Sequence, residues 1–98
     1  MEITGRIIFA GKLQEGESNF GPWRRIGFVM EEVDVEHPER VSLRARGTKA
    51  EELAKVFEQE GTDGVWTAHF SHDAHAFEKD GEERWVNDLT CWKLVREG

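Results

Sequence analysis

The sequence predicts a small, mostly β domain that closes into a barrel, with one helix after its third strand. Three observations predict it. Five runs alternate apolar and polar residues at period two, the mark of half-buried strands. One run, residues 48–59, switches to helical spacing. No repeat, low-complexity tract or Pro/Ser-rich linker divides the 98 residues, a length that closes one hydrophobic core and not two.

The first run, Ile3 to Leu13, is long and holds Gly5 and Gly11. Period two puts Ile3, Ile7 and Phe9 on one side, with Arg6 and Ile8 on the other. Apolar residues on both sides, with glycines between, suit a strand that bends and serves two sheets. Gln14 to Pro22 reads as a polar loop punctuated by Gly16, Asn19, Gly21 and Pro22. In the second run, Trp23 to Val33, Ile26, Phe28 and Met30 form the core face. Trp23, Arg25, Gly27 and Val29 form the outer one. A turn at Glu36-His37-Pro38-Glu39 leads to the third run, Arg40 to Arg46, with Val41, Leu43 and Ala45 inward and Ser42, Arg44 and Arg46 outward.

Ala50, Leu53, Ala54 and Phe57 then fall at i, i+3, i+4 and i+7, one buried stripe of a helix. Thr48 and Glu51 have capping-box spacing, worth about 1 kcal/mol at a helix start. Gly61 and Gly64 follow, where a left-handed residue stops a helix. The fourth run, Val65 to Ala76, sets Trp66, Ala68 and Phe70 against Thr67, His69 and Ser71; the fifth runs from Arg84 to Val95. Asp80-Gly81 between them is a hairpin pair. The order β-β-β-α-β-β with a long bent first strand is that of a five-stranded OB-type barrel, and an open α+β sandwich is its rival. From these faces Ile7, Phe28, Met30, Val41, Leu43, Leu53, Phe57, Phe70, Leu89 and Cys91 are expected in the core.

Composition bounds the function. The net charge of −7 argues against indiscriminate binding to polyanions. It is unevenly placed: residues 1–49 hold eight basic and eight acidic side chains, residues 50–98 five and twelve. A basic face on the first half therefore stands. No apolar stretch approaches the roughly 20 residues of a membrane span, and the start lacks a signal peptide's pattern, so a cytoplasmic location is expected. The single cysteine, Cys91, allows neither an internal disulfide nor a cysteine zinc cluster, and its apolar neighbours make it a small buried hydrophobe.

The start Met1-Glu2-Ile3-Thr4-Gly5-Arg6-Ile7-Ile8 resembles the M-E-[IL]-x-G-[KR]-[IV] opening of a bacterial family of short, uncharacterised OB-fold-like domains. Gly21-Pro22-Trp23-Arg24-Arg25 before Phe28-Val29-Met30-Glu31 is similar to that family's G-x-W-K-K and F-[IV]-[IL]-E. Asp80-Gly81, Arg84-Trp85, Asp88-Leu89 and Trp92-Lys93-Leu94 resemble its ending, N-G-R-W-[YF]-T-D-[IV]-R-A-W-[KR]-[IV], so the resemblance spans essentially the whole chain. It implies an OB fold like that of single-stranded DNA-binding proteins, the short primosomal replication proteins among them. Thr48 to Glu60 and the His-rich fourth strand depart from the pattern. Arg96-Glu97-Gly98 does not continue into an acidic-tipped tail, so partner recruitment by that route is not expected.

The outer set Trp23, Arg25, Arg44 and Arg46 is the candidate binding face, because single strands need an aromatic for bases to stack on and cations along the phosphate path. Phe20 in the first loop, and Lys79, Arg84 and Trp85 around the last hairpin, extend the path. The competing reading has Trp23 covering the barrel end and the arginines paired with nearby carboxylates. His69, His72, His75 and Asp73 do not make a metal site, since alternation splits them and six extended residues span roughly 20 Å. No phosphate loop, nucleophile elbow or Ser/His/Asp spacing appears, so neither an enzyme nor a small-molecule cofactor is expected. The expectation is a binder of single-stranded DNA or RNA in replication, recombination or repair, with a protein-interaction module as the alternative. Homo-oligomers fit either reading, since one such face is small and an array raises effective concentration.

Overall fold

The computed structural model describes residues Met1–Gly98. Its elements run β1 (Glu2–Ala10), β2 (Gln14–Ser18), β3 (Gly21–Glu32), β4 (Arg40–Arg46), α1 (Gly47–Gln59), β5 (Trp66–Lys79) and β6 (Glu82–Arg96). β1 pairs with both β3 and β5, β5 with β6, β6 with β4, and β4 with β3, so five strands close a circuit. All pairings are antiparallel except β4–β6, which is parallel and meets at Arg44 and Thr90. This is the connectivity of the predicted barrel, with the single helix between its third and fourth members.

The sixth strand corrects the sequence reading. Residues 14–22, expected as a loop, instead form a hairpin in which Gln14–Ser18 pairs with Gly21 to Arg25. β2 thus prolongs β1 along β3 past a break at Gly11, whose N–H donates to the Gly27 carbonyl at 2.8 Å. The polar side chains that suggest a loop are those of a two-stranded ribbon exposed on both faces.

The core expectations hold. Ile7, Phe28, Met30, Leu43, Leu53, Phe70 and Cys91 are buried, and Val41, Phe57 and Leu89 are half-buried. Phe9, which strict alternation sets on the same side as Ile3 and Ile7, is instead 61% exposed. A bulge between Ile7 and Phe9 inserts Ile8 as an extra residue, so Ile7 faces Met30 but Phe9 faces Val29. One added residue reverses the facing of everything after it.

α1 packs on β3 and β4, with Ala50 and Leu53 buried. Phe57 meets Phe28 edge-on at 5.7 Å and Trp66 at 6.4 Å, a geometry that aromatic quadrupoles favour. The expected capping box is absent. β4 runs straight into the helix, Arg46 occupies the N-cap, and no side chain caps it. Thr48 is already inside the first turn, and Glu51 pairs instead with Arg24 at 2.8 Å. Gly61, at φ +77°, supplies the left-handed stop one residue past the C-cap.

β5 and β6 outrun the barrel. From Ser71 to Lys79 every β5 residue is exposed, and the two strands continue as an arm to Asp80-Gly81. Both turn residues have positive φ, +52° and +76°, the two-residue turn that Asp-Gly favours.

Candidate nucleic-acid interface

The β3–β4 ladder sets the site. Arg25 stands opposite Arg46, Gly27 opposite Arg44 and Val29 opposite Ser42, all on the face turned away from the core. Trp23 precedes Arg25 by two residues on that face and is 39% exposed. Its ring lies across Gly16 on β2, where any Cβ would collide with it. The Arg25 guanidinium sits 5.2 Å above the Trp23 ring centre, a cation–π contact worth about 0.5–1 kcal/mol at an exposed site. Gln14 Oε1 accepts from Arg25 Nε at 2.7 Å and fixes the guanidinium over the ring.

The structure therefore brings Trp23, Arg25, Arg44 and Arg46 together around a cleft of about 210 Å³. Arg24, on the opposite side of the strand, is spent on structure: it bridges Glu15 at 3.1 Å and Glu51 at 2.8 Å, tying the β2–β3 hairpin to α1. Arg44 and Arg46 also have a partner. Asp88 of β6 lies 3.3 Å from Arg44 and 3.7 Å from Arg46. Both guanidiniums keep about half their surface in water, at 43% and 60% side-chain exposure, while Asp88 keeps 12%.

A second groove of about 510 Å³ continues from Arg25 and Arg44 toward β1. Gly27 leaves its floor bare, and Phe9 and Lys12 line its far side. Sequence reasoning missed these two. The signal was present: three consecutive apolar residues, Ile7-Ile8-Phe9, break strict alternation.

The outlying candidates are more scattered. Phe20 is fully exposed at the tip of the β2–β3 hairpin. Lys79 and Arg84 share, by alternation along the ladder, the arm face that carries His75 and Asp88, whereas Trp85 projects from the other face opposite Ala76. Arg84 also pairs with Glu82 at 3.7 Å. The histidines go to separate partners: His69 to Glu2 at 3.4 Å and the Trp92 ring at 5.3 Å, His72 to Asn87 at 3.0 Å, His75 to Asp88 at 3.4 Å.

The closed circuit and its parallel β4–β6 contact define an OB fold of the kind seen in single-stranded DNA-binding proteins. The mitochondrial single-stranded DNA-binding protein Rim1 of S. cerevisiae superposes with a TM-score of 0.66 at 14% identity, over 98% of this chain and 91% of that one. The wild-type single-stranded DNA-binding protein of Thermus aquaticus gives 0.62 at 11% identity, over 99% of this chain and 48% of that one. The Plasmodium falciparum protein in complex with single-stranded DNA gives 0.56 at 7% identity, over 100% and 93%. At these identities the likeness is one of fold. By sequence, the chain belongs to the family described as a domain of unknown function, DUF3127, whose model matches residues 2–95. No curated protein matches it.

Proposed function

We propose that this domain binds single-stranded nucleic acid, DNA in the first instance, across the β3–β4 face, as a binder and not a catalyst. The observation that carries the reading is the in-register pair Arg25 and Arg46 beside the exposed Trp23 ring. Like charges directly opposite on a ladder destabilise a sheet. Their mutual repulsion works against the sheet, and a strand of phosphates passing between the guanidiniums would relieve it. Trp23 supplies the stacking surface, and Arg25, Arg44 and Arg46 the phosphate contacts. Phe9 and Lys12 prolong the path on one side; Lys79 and Arg84 on the arm prolong it on the other. The solved relatives in fold are single-stranded DNA-binding proteins by name, which supports the same reading. The setting that suits such a binder is replication, recombination or repair in the cytoplasm, with several copies assembled to compensate for a small face.

A titration of oligo-dT followed by tryptophan fluorescence, at 20 and 200 mM salt, tests this. Quenching and a clear loss of affinity at high salt are expected, because contacts to phosphate release counterions. No binding at 20 mM salt would transfer the function to the alternative, a protein-interaction module. That alternative draws on Trp85 and Trp92, which are 67% and 56% exposed.

A further inference from the structure

Asp88 stands where the basic face meets the arm. Two guanidiniums, Arg44 and Arg46, and the His75 imidazole converge on its carboxylate at 3.3, 3.7 and 3.4 Å. Paired guanidiniums gathered on one oxyanion are the chemistry by which phosphate is recognised. Here the oxyanion belongs to the protein. The two arginine ion pairs, at 3.3 and 3.7 Å, are also longer than the roughly 2.7–2.9 Å of a tight charge-assisted hydrogen bond. Each is therefore easily exchanged, and the open groove of about 650 Å³ beside them gives an outside anion access to the same guanidiniums. Asp73 lies directly opposite Asp88 on β5 and lines that groove, so an approaching phosphate meets two carboxylates.

We infer that Asp88 is a built-in competitor of the nucleic-acid backbone: it holds Arg44 and Arg46 in place in the free protein and is displaced by phosphate on binding. The inference rests on the nucleic-acid reading of this face. It explains how a basic face is kept from binding polyanions tightly in a chain of net charge −7. The capacity of Arg44 and Arg46 for phosphate is held back by a carboxylate that a strand must outcompete.

The test is a gain of affinity. Asp88→Asn keeps the shape and removes the charge, so oligo-dT should bind about fivefold tighter at low salt, a change of about 1 kcal/mol. The slope of log affinity against log salt should steepen by about 0.7 for each phosphate newly engaged. Adding Arg44→Gln and Arg46→Gln to Asp88→Asn should abolish the gain. Equal or weaker binding by a folded Asp88→Asn variant would overturn the inference and make Asp88 a positioning group for the arginines. Should that variant fail to fold, the carboxyl carbon resonance of Asp88 in the unmodified protein decides. A shift on adding oligo-dT supports displacement, and an unchanged resonance overturns it. If the unmodified protein does not bind oligo-dT at all, the nucleic-acid reading itself has failed, and this inference with it. If it binds and Asp88→Asn is no tighter, only the inference has.

Discussion

Within β5 two regions meet that are built from one strand and held by different forces. From Trp66 to Ala68, and again at Phe70, side chains are buried in the barrel wall; from Ser71 to Lys79 every residue is exposed. The barrel half is fixed by apolar burial, with Phe28, Met30 and Ala68 at 1% exposure or less. The arm half has only its ladder to β6 and the Asp80-Gly81 turn, and a two-stranded ribbon is marginally stable by itself. The comparison locates the candidate site: Arg25, Arg44 and Arg46 stand on the β3–β4 ladder of the barrel, with Trp23 two residues beyond it on the β2–β3 ribbon, while Lys79 and Arg84 ride on the arm. Contacts made by the first set are preorganised, and those made by the second must be ordered on binding.

The largest expected effect breaks the barrel. Phe28→Ala removes a ring that is 1% exposed and packed against Phe57, so thermal unfolding should show a loss of about 3–5 kcal/mol. Next comes the face. Trp23→Ala should weaken oligo-dT binding by about 1–3 kcal/mol, the worth of one stacked base, in a titration checked against the melting temperature. If binding is unchanged while the melting temperature drops by several degrees, Trp23 is a cover for Gly16 and not a platform.

The arm should respond separately. Gly81→Ala forces a side chain into φ +76°, at a cost of about 1–2 kcal/mol. Hydrogen exchange should quicken between Ser71 and Val86 and stay unchanged in β3 and β4. Equal quickening everywhere would show that arm and barrel open as one unit. The smallest effect belongs to Cys91. Burial pushes its thiol above the ordinary 9.0, against smaller lowering influences from the Lys93 backbone and the Lys49 charge. Above pH 9 the unfolded thiol loses its proton and the folded one retains it. The unfolded state then binds fewer protons, so stability falls as pH rises. Melting temperatures between pH 7 and 10 should show this decline, and Cys91→Ala should flatten it.

The regular parts of the fold were legible in the sequence because period two is a direct image of one wet and one dry face. Ile26-Phe28-Met30 and Val41-Leu43-Ala45 alternate without interruption, and their outward partners Arg25, Arg44 and Arg46 could be read from the same pattern. What failed were places where geometry overrides period. The bulge at Ile8 leaves only the run Ile7-Ile8-Phe9 as a trace, and strict alternation places Phe9 beside Ile7 and away from the groove that it lines. The β2 ribbon is polar on both faces, which leaves alternation nothing to report. Asp88 was legible as a residue but not as a partner of Arg44 and Arg46, because only the parallel β4–β6 contact brings it to Arg44, 44 residues earlier in the chain.

The central claim is that the barrel face of β3 and β4 holds the single strand. Amide chemical-shift mapping of the labelled protein during an oligo-dT titration tests it most directly. The largest shifts are expected at Trp23, Arg25, Gly27, Arg44 and Arg46, with weaker ones at Phe9, Lys12, Lys79 and Arg84. Shifts confined to Trp92, His69 and their neighbours on the outer wall, with the β3–β4 face silent, would contradict it.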